Sequence, residues 1–429
     1  MSYLLMILYA FILYADAMDY IPYLNYWDEA ITFLVIAIYA LCRICNGRIN
    51  CIKKSKAQQY GLLLLVISIG LLGNFFHPGI QSVNSAIFRD VVSFIKFPVL
   101  MIMLNDISLK WSLVKRKLIL KRVNYISKIT IILAGFIAVI QYATGIGLDY
   151  EGARLIPVYK YIYSHATYLV ANIVFCVSLL MVESRKDNKF YIYVGCVILF
   201  LTQRYKAYAI IVVIVLLMKL KESQIRRMLS FEKTTKLKKK KVLPIIIVLG
   251  VALYVIFIDR FRIYLSWGMT SARLALYVVC IKIAIDFFPL GSGFGTFGSF
   301  LSGKYYSNIY TMYGLSHVQG LRIDQYNYIS DTFWPWVIGQ YGFIGGILYI
   351  YLIIGFIKRQ FMQIKSYDKI VGFFVLWMYV LLASMMEAFF TNATGVALAL
   401  ILSLLIGTDT DNKNQNRDFH RSVNTYKYF

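Results

Sequence analysis

The sequence is poor in charge, and most of the charge that it has is positive. Only 15% of its 429 residues are charged, and 21 Asp and Glu stand against 45 Lys and Arg, for a formal net charge of +24. Soluble domains carry about 25% charged residues. This deficit, together with 59% hydrophobic residues and a mean hydropathy of +0.65, excludes a soluble globular protein and a disordered chain.

Cysteine, histidine and clustered carboxylates are also scarce. There are six cysteines and four histidines, and Cys42, Cys45 and Cys51 have no nearby His or fourth Cys to complete a zinc site. The cysteines lie mostly in apolar stretches or a predicted cytoplasmic loop, where disulfides are not expected. No acidic cluster suited to a metal is visible, so we expect neither a metal nor another cofactor.

Long apolar stretches are abundant, for example GLLLLVISIGLLGNFF (61–76) and ITIILAGFIAVIQY (129–142). A bilayer core of about 30 Å demands runs of this kind. The sequence therefore predicts an all-α, polytopic membrane bundle with about twelve transmembrane helices. The predicted spans are 3–18, 28–45, 59–76, 86–104, 124–146, 165–182, 190–202, 206–220, 242–259, 331–357, 369–388 and 392–407.

Basic residues indicate which way the spans run. One alternating set of connections holds 32 of the 45 Lys and Arg, whereas the opposite set holds ten. Positive flanks stay cytoplasmic, so the rich set, with the loop 219–241 and the tail 408–429, is predicted to be cytoplasmic, as are both termini. This distribution between spans also argues against a nucleic-acid partner. The outer face receives a small loop, 147–164, and a large one, 260–330.

The segment ARLALYVVCIKIAIDFFPL (272–290) is apolar enough to resemble a further span. If it crossed, the basic connection 358–369 and the C-terminal tail would both lie outside. Arg273, Lys282 and Asp286 would also be unfavourable near a membrane centre. We therefore predict an amphipathic helix at the outer interface or against the bundle.

The ten basic residues of the outer face form the first group of candidates for function. Arginine presents a planar fork of donors that binds phosphate in a bidentate manner, so an outer cluster suits a lipid-linked pyrophosphate. Any single member can instead be a snorkelling residue at the end of a span. The ten are Arg154, Lys160, Arg204, Lys206, Arg260, Arg262, Arg273, Lys282, Lys304 and Arg322.

The stretch PLGSGFGTFGSF (289–300) contains the spacing GxGxxG, but no soluble strand–turn–helix unit surrounds it, which argues against a dinucleotide site. Gly293 and Gly295 allow two interpretations. They form a tight turn whose N–H groups approach an anion or a sugar, or they serve the turn alone.

Titratable and aromatic residues near the outer ends of spans form the second group. Asp331 and His317 are candidates for a base, and Trp334 suits either an interfacial belt or stacking on a sugar. His165 opens a span and is expected to cap it. Glu387 is a carboxylate at membrane depth, and Arg89, Asp90 and Lys96 are expected to pair with one another or with a neighbouring helix.

The outer-loop residues resemble the O-antigen ligase and polymerase superfamily. In that family an Arg-led helix runs into a Pro-Leu-Gly-x-Gly-x-Gly-x-Phe turn. SDTFWPWVIGQYGFIGGILYI (330–350) is similar to the family's following span, and Arg204 in LTQRYKAY is similar to an Arg at the outer end of a middle helix. Ligases of the family generally carry a His-Asn or His-Ser pair where this chain has Ser330 and Asp331, which favours a Wzy-type polymerase. The positions that match the turn motif are Arg273, Pro289, Leu290, Gly291, Gly293, Gly295 and Phe297.

The resemblance implies that the protein polymerises undecaprenyl-pyrophosphate-linked repeat units into O-antigen or capsule at the outer face of the bacterial inner (cytoplasmic) membrane. The implied partners are those lipid-linked glycans and membrane lipid, with a chain-length regulator and a flippase of the same pathway. Fixed arginines would stabilise the leaving pyrophosphate. The predicted catalytic residues are Arg273, Asp331 and His317. The predicted substrate-binding residues are Arg154, Arg204, Lys206, Arg262, Arg322, Gly293, Gly295 and Trp334.

Two alternatives remain open from the sequence. An O-antigen ligase would use the same donor and deliver the glycan to lipid A core. A flippase or other transporter of lipid-linked sugars would not be an enzyme, but such proteins tend to show repeated halves and polar residues near the midplane. Here the polar residues concentrate on one face.

Overall fold

The computed structural model describes residues 2–17, 27–45, 54–109, 111–150, 156–219, 262–364 and 366–405, with 250 and 258 as isolated positions. In this part of the chain every regular element is a helix. The extended pairing found there is a single antiparallel bridge between Asp149 and Val158. The predicted all-α class is confirmed.

Twelve helices of thirteen residues or more appear in the described residues, with two short ones, Phe300–Lys304 and Ile309–Met312, between the ninth and the tenth. The twelve are α1 (Ser2–Tyr14), α2 (Trp27–Cys45), α3 (Lys54–Phe76), α4 (Asn84–Leu109), α5 (Leu113–Thr144), α6 (Ala166–Glu183), α7 (Lys189–Leu201), α8 (Tyr205–Lys219), α9 (Ala272–Asp286), α10 (Trp334–Gln363), α11 (Tyr367–Ser384) and α12 (Ala393–Leu405).

Five of these helices are long and apolar enough to cross a bilayer, namely α3, α5, α6, α10 and α11. A sixth span results if the bent pair of Arg262–Thr270 and α9 counts as one. Eleven of the twelve predicted spans overlap a helix, and the ninth, 242–259, lies outside the described residues apart from 250 and 258. The membrane character is supported, while the number of twelve spans stays a prediction.

Helix α6 lies at the centre of the bundle. Its sequence is apolar on every side, and a helix of that kind is stable when neighbours surround it. Fifteen of its eighteen residues are buried, and it packs against α5, α7 and α11. Its buried Asn172 donates to the carbonyl of Leu13 at 3.0 Å. That carbonyl belongs to the last turn of α1, where intrahelical partners are missing.

The described part of the large loop that is predicted to face outward, from residue 262 onward, is a folded cap, called the outer cap below, with its own core. Four apolar residues of α9, Ala275, Leu276, Val279 and Ile283, are fully or almost fully buried in it. The residues that complete this core are Ile80, Cys280, Phe297, Ile309, Tyr310, Leu315, Leu321 and Ile329. Because Ile80 belongs to the connection between α3 and α4, the cap is fixed to the bundle.

Both ends of α9 contact residues at the same end of the bundle. Arg273, near its start, lies 3.0 Å from Asp331, which precedes α10. Phe287, directly after its end, packs edge-on against His77, which follows α3, with ring centroids 4.8 Å apart. Helix α9 is bent by 68° from the helical segment Arg262–Thr270. This geometry suits a helix that lies across one face of the bundle.

We predict that α9 does not cross the membrane. A reporter enzyme fused after residue 310 is expected to be active outside the cytoplasm, as is one fused within 150–160, whereas one fused at 235 is expected to be cytoplasmic. Paired alkaline phosphatase and green fluorescent protein fusions measure this directly. If the fusions at 235 and 310 reported the same side, α9 would be a span.

Candidate functional site

A cavity of about 990 Å³ lies at the end of the bundle where seven helices begin. Its lining residues come from the N-caps or first two turns of α2, α6, α8, α9 and α10, from the second and third turns of α4, from the outer cap, and from the connection that leads into α12. All of these belong to the connections predicted to face outward, or to the helix ends beside them. A helix N-terminus carries roughly half a positive charge, so their convergence favours an anionic ligand.

Ionisable side chains of both signs line this cavity. They are Glu29, Arg89, Asp90, Arg204, Lys206, Arg273, Lys304, Asp331 and Glu387. Among the described residues, no group of three or more His, Cys, Asp or Glu side chains is placed to hold a metal ion.

Arg273 and Asp331 form an ion pair in the cavity wall. Nη2 of Arg273 donates to Oδ2 of Asp331 at 3.0 Å, and Nη1 donates to the hydroxyl of Tyr264 at 2.9 Å. The two contacts fix the plane of the guanidinium group. Burial raises the pKa of the Asp331 carboxyl above its usual range, although Arg273 opposes the rise. Asp331 is therefore a better proton acceptor than an exposed aspartate would be.

Lys206 and Glu387 form a second pair, between the start of α8 and the connection between α11 and α12. The ammonium group of Lys206 donates to Oε1 of Glu387, and only 4% of the lysine side chain is exposed. The same ammonium group lies 5.7 Å from the ring centroid of Tyr379. The carboxylate at membrane depth thus has a basic partner, as buried charges require.

His165 and Arg204 meet in the cavity wall, at the starts of α6 and α8. His165 is the N-cap of α6, and its Nδ1 accepts the backbone N–H of Thr167 at 3.2 Å, so the predicted capping role is confirmed. Its Nε2 lies 3.1 Å from Nη2 of Arg204. Partial burial, followed by the charges of Arg204, Lys206 and Lys160, lowers the pKa of His165 to about 4. The imidazole is therefore neutral at physiological pH.

The glycine-rich turn packs between α3, α4 and α10. The backbone N–H of Gly295 donates to Oδ2 of the fully buried Asp90 at 2.8 Å. The amide side chain of Asn74 accepts from the N–H of Phe294 at 2.8 Å and donates to its carbonyl at 2.9 Å. The N–H of Gly293 donates to the carbonyl of Gln340 at 2.9 Å. These N–H groups bind the protein itself, which agrees with the interpretation that the glycines serve the turn.

Lys96 joins α4 to α2 close to the cavity. Its ammonium group donates to Oδ2 of Asp28 at 2.8 Å and to Oε1 of Glu29. Glu29 also lines the cavity. Of the polar residues predicted within the fourth span, Lys96 thus pairs with a neighbouring helix and Asp90 with the outer cap.

The cavity has an apolar edge between α2 and α4. Phe33 of α2 and Phe88 of α4 both line it, and they are 56% and 70% exposed on the outside of the bundle. Val92, one turn beyond Phe88 on α4, continues the same edge. The charged interior is therefore continuous with an apolar lateral surface.

The structure brings four of the predicted site residues together and leaves six elsewhere. Arg204, Lys206, Arg273 and Asp331 line the cavity. Trp334 instead donates from its indole N–H to the hydroxyl of Ser384 at 3.1 Å. Arg154 lies outside the described residues. The predicted residues that lie away from the cavity lining are Arg262, Gly293, Gly295, His317, Arg322 and Trp334, of which Arg262, His317 and Arg322 are exposed.

Several lining residues were not predicted to bind substrate. They include His165, Arg89, Lys304 and Trp336. What these residues share in the sequence is their position. Each lies in the outer cap or within a few residues of a helix end that is predicted to face outward. Trp336 lies two residues beyond Trp334 and lines the cavity, whereas Trp334 does not. The two tryptophans differ in the direction in which their side chains leave helix α10, and the sequence did not decide this direction.

No protein-family model matches this chain, and no curated protein matches it.

Replacement of Gly293 by any residue with a Cβ is predicted to destabilise the fold. Its φ is +93°, and an added Cβ would lie 2.6 Å from the backbone nitrogen of Asn74. Gly293→Ala should lower the free energy of unfolding by about 1–3 kcal/mol or more. Gly355→Ala is the matched control, because nothing lies within 4 Å of its added Cβ, and this change should be neutral or stabilising by up to ~1 kcal/mol. Thermal unfolding in detergent compares the two, and equal effects would contradict the prediction.

Proposed function

We propose that the protein is a membrane glycosyltransferase of the polysaccharide-polymerase type. It moves a growing glycan from undecaprenyl pyrophosphate onto a hydroxyl of a lipid-linked repeat unit at the outer face of the bacterial cytoplasmic membrane. The observation that carries this proposal is the meeting of Arg204, Lys206, Arg273 and Asp331 around one cavity. They come from three separate stretches of the chain. All four were candidates by residue type and predicted side of the membrane, and Arg204 and Arg273 also match positions in the resemblance.

The electrostatics of the cavity support an anionic leaving group. Six helix N-termini, those of α2, α6, α8, α9, α10 and α12, lie beside it, and five basic side chains line it together with four carboxyl groups. Preorganised donors and positive dipoles aimed at developing charge are usually the largest contribution to such catalysis. A departing pyrophosphate develops its charge on oxygens that guanidinium groups bind in a bidentate manner.

The acid–base requirement is met by Asp331. The acceptor hydroxyl oxygen forms a bond to C1 of the donor sugar while the bond from C1 to the pyrophosphate oxygen breaks with its electron pair. The hydroxyl proton passes to the Asp331 carboxylate, whose raised pKa suits it to accept one. Arg273 orients this carboxylate through their 3.0 Å contact.

The shape of the cavity supports a lipid-linked substrate. Its volume of about 990 Å³ lies at the upper end of the range typical for small-molecule sites, about 300–1,000 Å³, which leaves room for sugar rings beside the pyrophosphate. Its apolar edge at Phe33 and Phe88 faces the side of the bundle, where a polyprenyl chain would lie in the membrane.

Arg273→Lys is predicted to be almost as damaging as Arg273→Ala. Lysine keeps the charge, but a single ammonium group cannot reproduce two contacts made by separate guanidinium nitrogens, one to Tyr264 and one to Asp331. Both variants should shift the polymer from long chains to one or a few repeat units. Gel electrophoresis of the surface polysaccharide measures the chain-length distribution.

The control for this experiment is Arg359→Lys at the opposite end of α10, where one guanidinium nitrogen donates to Gln59 at 3.1 Å. Its polymer length should match that of the wild type. Protein levels are compared by immunoblot. A full chain-length distribution in Arg273→Ala at normal protein level would remove Arg273 from the site.

The products of a deletion strain distinguish polymerase from ligase and transporter. Loss of a polymerase should leave single repeat units exported and attached to their usual acceptor. Loss of a ligase should leave long polymer on undecaprenyl pyrophosphate, and loss of a transporter should trap lipid-linked units in the cytoplasmic leaflet. Mass spectrometry of the lipid-linked pool reads all three patterns. Accumulation of long lipid-linked chains in the deletion strain would contradict the polymerase proposal and support a ligase.

A further inference from the structure

Tyr328 is an exposed aromatic residue in the part of the cavity lining that the outer cap supplies. It exposes 46% of its surface, although its backbone is firmly held. Its N–H donates to the carbonyl of Gly320 at 3.0 Å, and the next residue, Ile329, is fully buried in the core of the cap. An exposed ring on a fixed backbone suits ligand binding, because little conformational freedom is left to lose when the ligand arrives.

The ring of Tyr328 lies against the α-carbon of Gly320. A Cβ added at Gly320 would lie 2.0 Å from Cδ2 of the ring and 2.6 Å from Cγ. Glycine is therefore needed there for the ring to take its place. The contact packs one side of the ring against the backbone of the cap and so fixes the plane of the ring.

A tight turn joins Tyr328 to Asp331, the proposed base. The N–H of Asp331 donates to the carbonyl of Tyr328 at 3.2 Å, which closes a turn of four residues. The first and last α-carbons of such a turn lie within about 7 Å of each other. Both residues line the cavity. A single sugar ring that stacks on Tyr328 can therefore bring one of its hydroxyls to the Asp331 carboxylate.

Polar side chains accompany Tyr328 in the cavity lining. Asn327 precedes it and Ser330 follows it by two residues, and both line the cavity. Their amide and hydroxyl groups can donate as well as accept hydrogen bonds. An aromatic face beside such groups matches a sugar, which has an apolar C–H face and hydroxyls that donate and accept.

We propose that the face of the Tyr328 ring away from Gly320 stacks on the acceptor sugar and holds its attacking hydroxyl at Asp331. Tyr328 binds and orients the acceptor and takes no part in proton transfer. The proposal rests on the proposed function for the identity of the acceptor and for the role of Asp331. It gives Tyr328 the stacking role that the sequence offered to Trp334, whose indole instead donates to Ser384.

Two pairs of variants separate stacking from stability. Tyr328→Phe keeps the ring and loses the hydroxyl, whereas Tyr328→Ala loses both. Gly320→Ala pushes a methyl group into the ring, and Gly314→Ala is its matched control in the same cap. The two glycines have φ of +81° and +69°, so both changes strain the backbone, but nothing lies within 4 Å of the Cβ added at Gly314.

The probe is the soluble repeat-unit oligosaccharide, released by mild acid from the lipid-linked units of the deletion strain. A nuclear magnetic resonance titration measures its affinity for the full-length protein in phospholipid nanodiscs. Chromatography of the soluble product measures the transfer of glycan to it from intact lipid-linked units, and hence its apparent KM. Thermal unfolding shows whether each variant is folded.

We expect Tyr328→Ala to weaken binding of the oligosaccharide and to raise its KM about tenfold, with kcat changed by less than about twofold. Gly320→Ala should weaken binding by about threefold or more, because the ring is displaced. Tyr328→Phe and Gly314→Ala should stay within about twofold of the wild type in both affinity and KM.

Wild-type affinity and KM in Tyr328→Ala would overturn the inference and leave the proposed function standing. Equal losses in Tyr328→Ala and Gly314→Ala would indicate a general disturbance of the cap and overturn the inference as well. If the wild type formed polymer from lipid-linked units without binding the oligosaccharide, the inference would again fail alone. Binding that depends on Tyr328 in a protein that transfers no glycan would support the sugar platform and contradict the polymerase.

Discussion

Charged side chains that are shielded from water must be paired, and this constraint organises the cavity end of the bundle. Lys206 pairs with Glu387 across 181 residues of sequence, and Lys96 pairs with Asp28 across 68. The first pair joins α8 to the connection that links α11 and α12. The second pair joins α4 to α2. Both pairs therefore connect parts of the bundle that are separated in the chain. Each pair also places a polar group at or beside the cavity wall. The same contacts therefore stabilise the bundle and form the site.

The outer cap depends on a related requirement, that buried backbone groups find hydrogen-bond partners. Asn74, Gln81, Asp90 and Gln340 bind the backbone of the turn between 293 and 297, and all four belong to the bundle or to the connection between α3 and α4. A cap held in this way is a rigid support for α9. It keeps Arg273 at the cavity, where Asp331 and Tyr264 fix its orientation.

The proposed chemistry uses the two kinds of surface that the cavity joins. Helix N-termini and basic side chains favour a phosphoryl group in the interior, and Phe33 and Phe88 offer an apolar edge toward the side of the bundle. A substrate with a charged head and a long apolar tail matches both. Within the charged part, Arg273 contacts a carboxylate, Asp331, and Arg204 contacts a histidine, His165.

The sequence by itself determined the helical class, the positions of most helices and the selection of Arg204, Lys206, Arg273 and Asp331, because hydropathy and basic flanks are local properties of the chain. It also supplied the capping role of His165. Tertiary structure alone decided that His317, Arg262 and Arg322 lie away from the cavity. It also decided that Trp336 lines the cavity whereas Trp334 does not. The partners of the glycine-rich turn, Asn74, Asp90 and Gln340, were likewise decided by the tertiary structure. These outcomes depend on which helices pack together and on the direction each side chain takes around its helix. A partner 205 residues away, such as Asp90 for Gly295, leaves no mark in the local pattern of either segment.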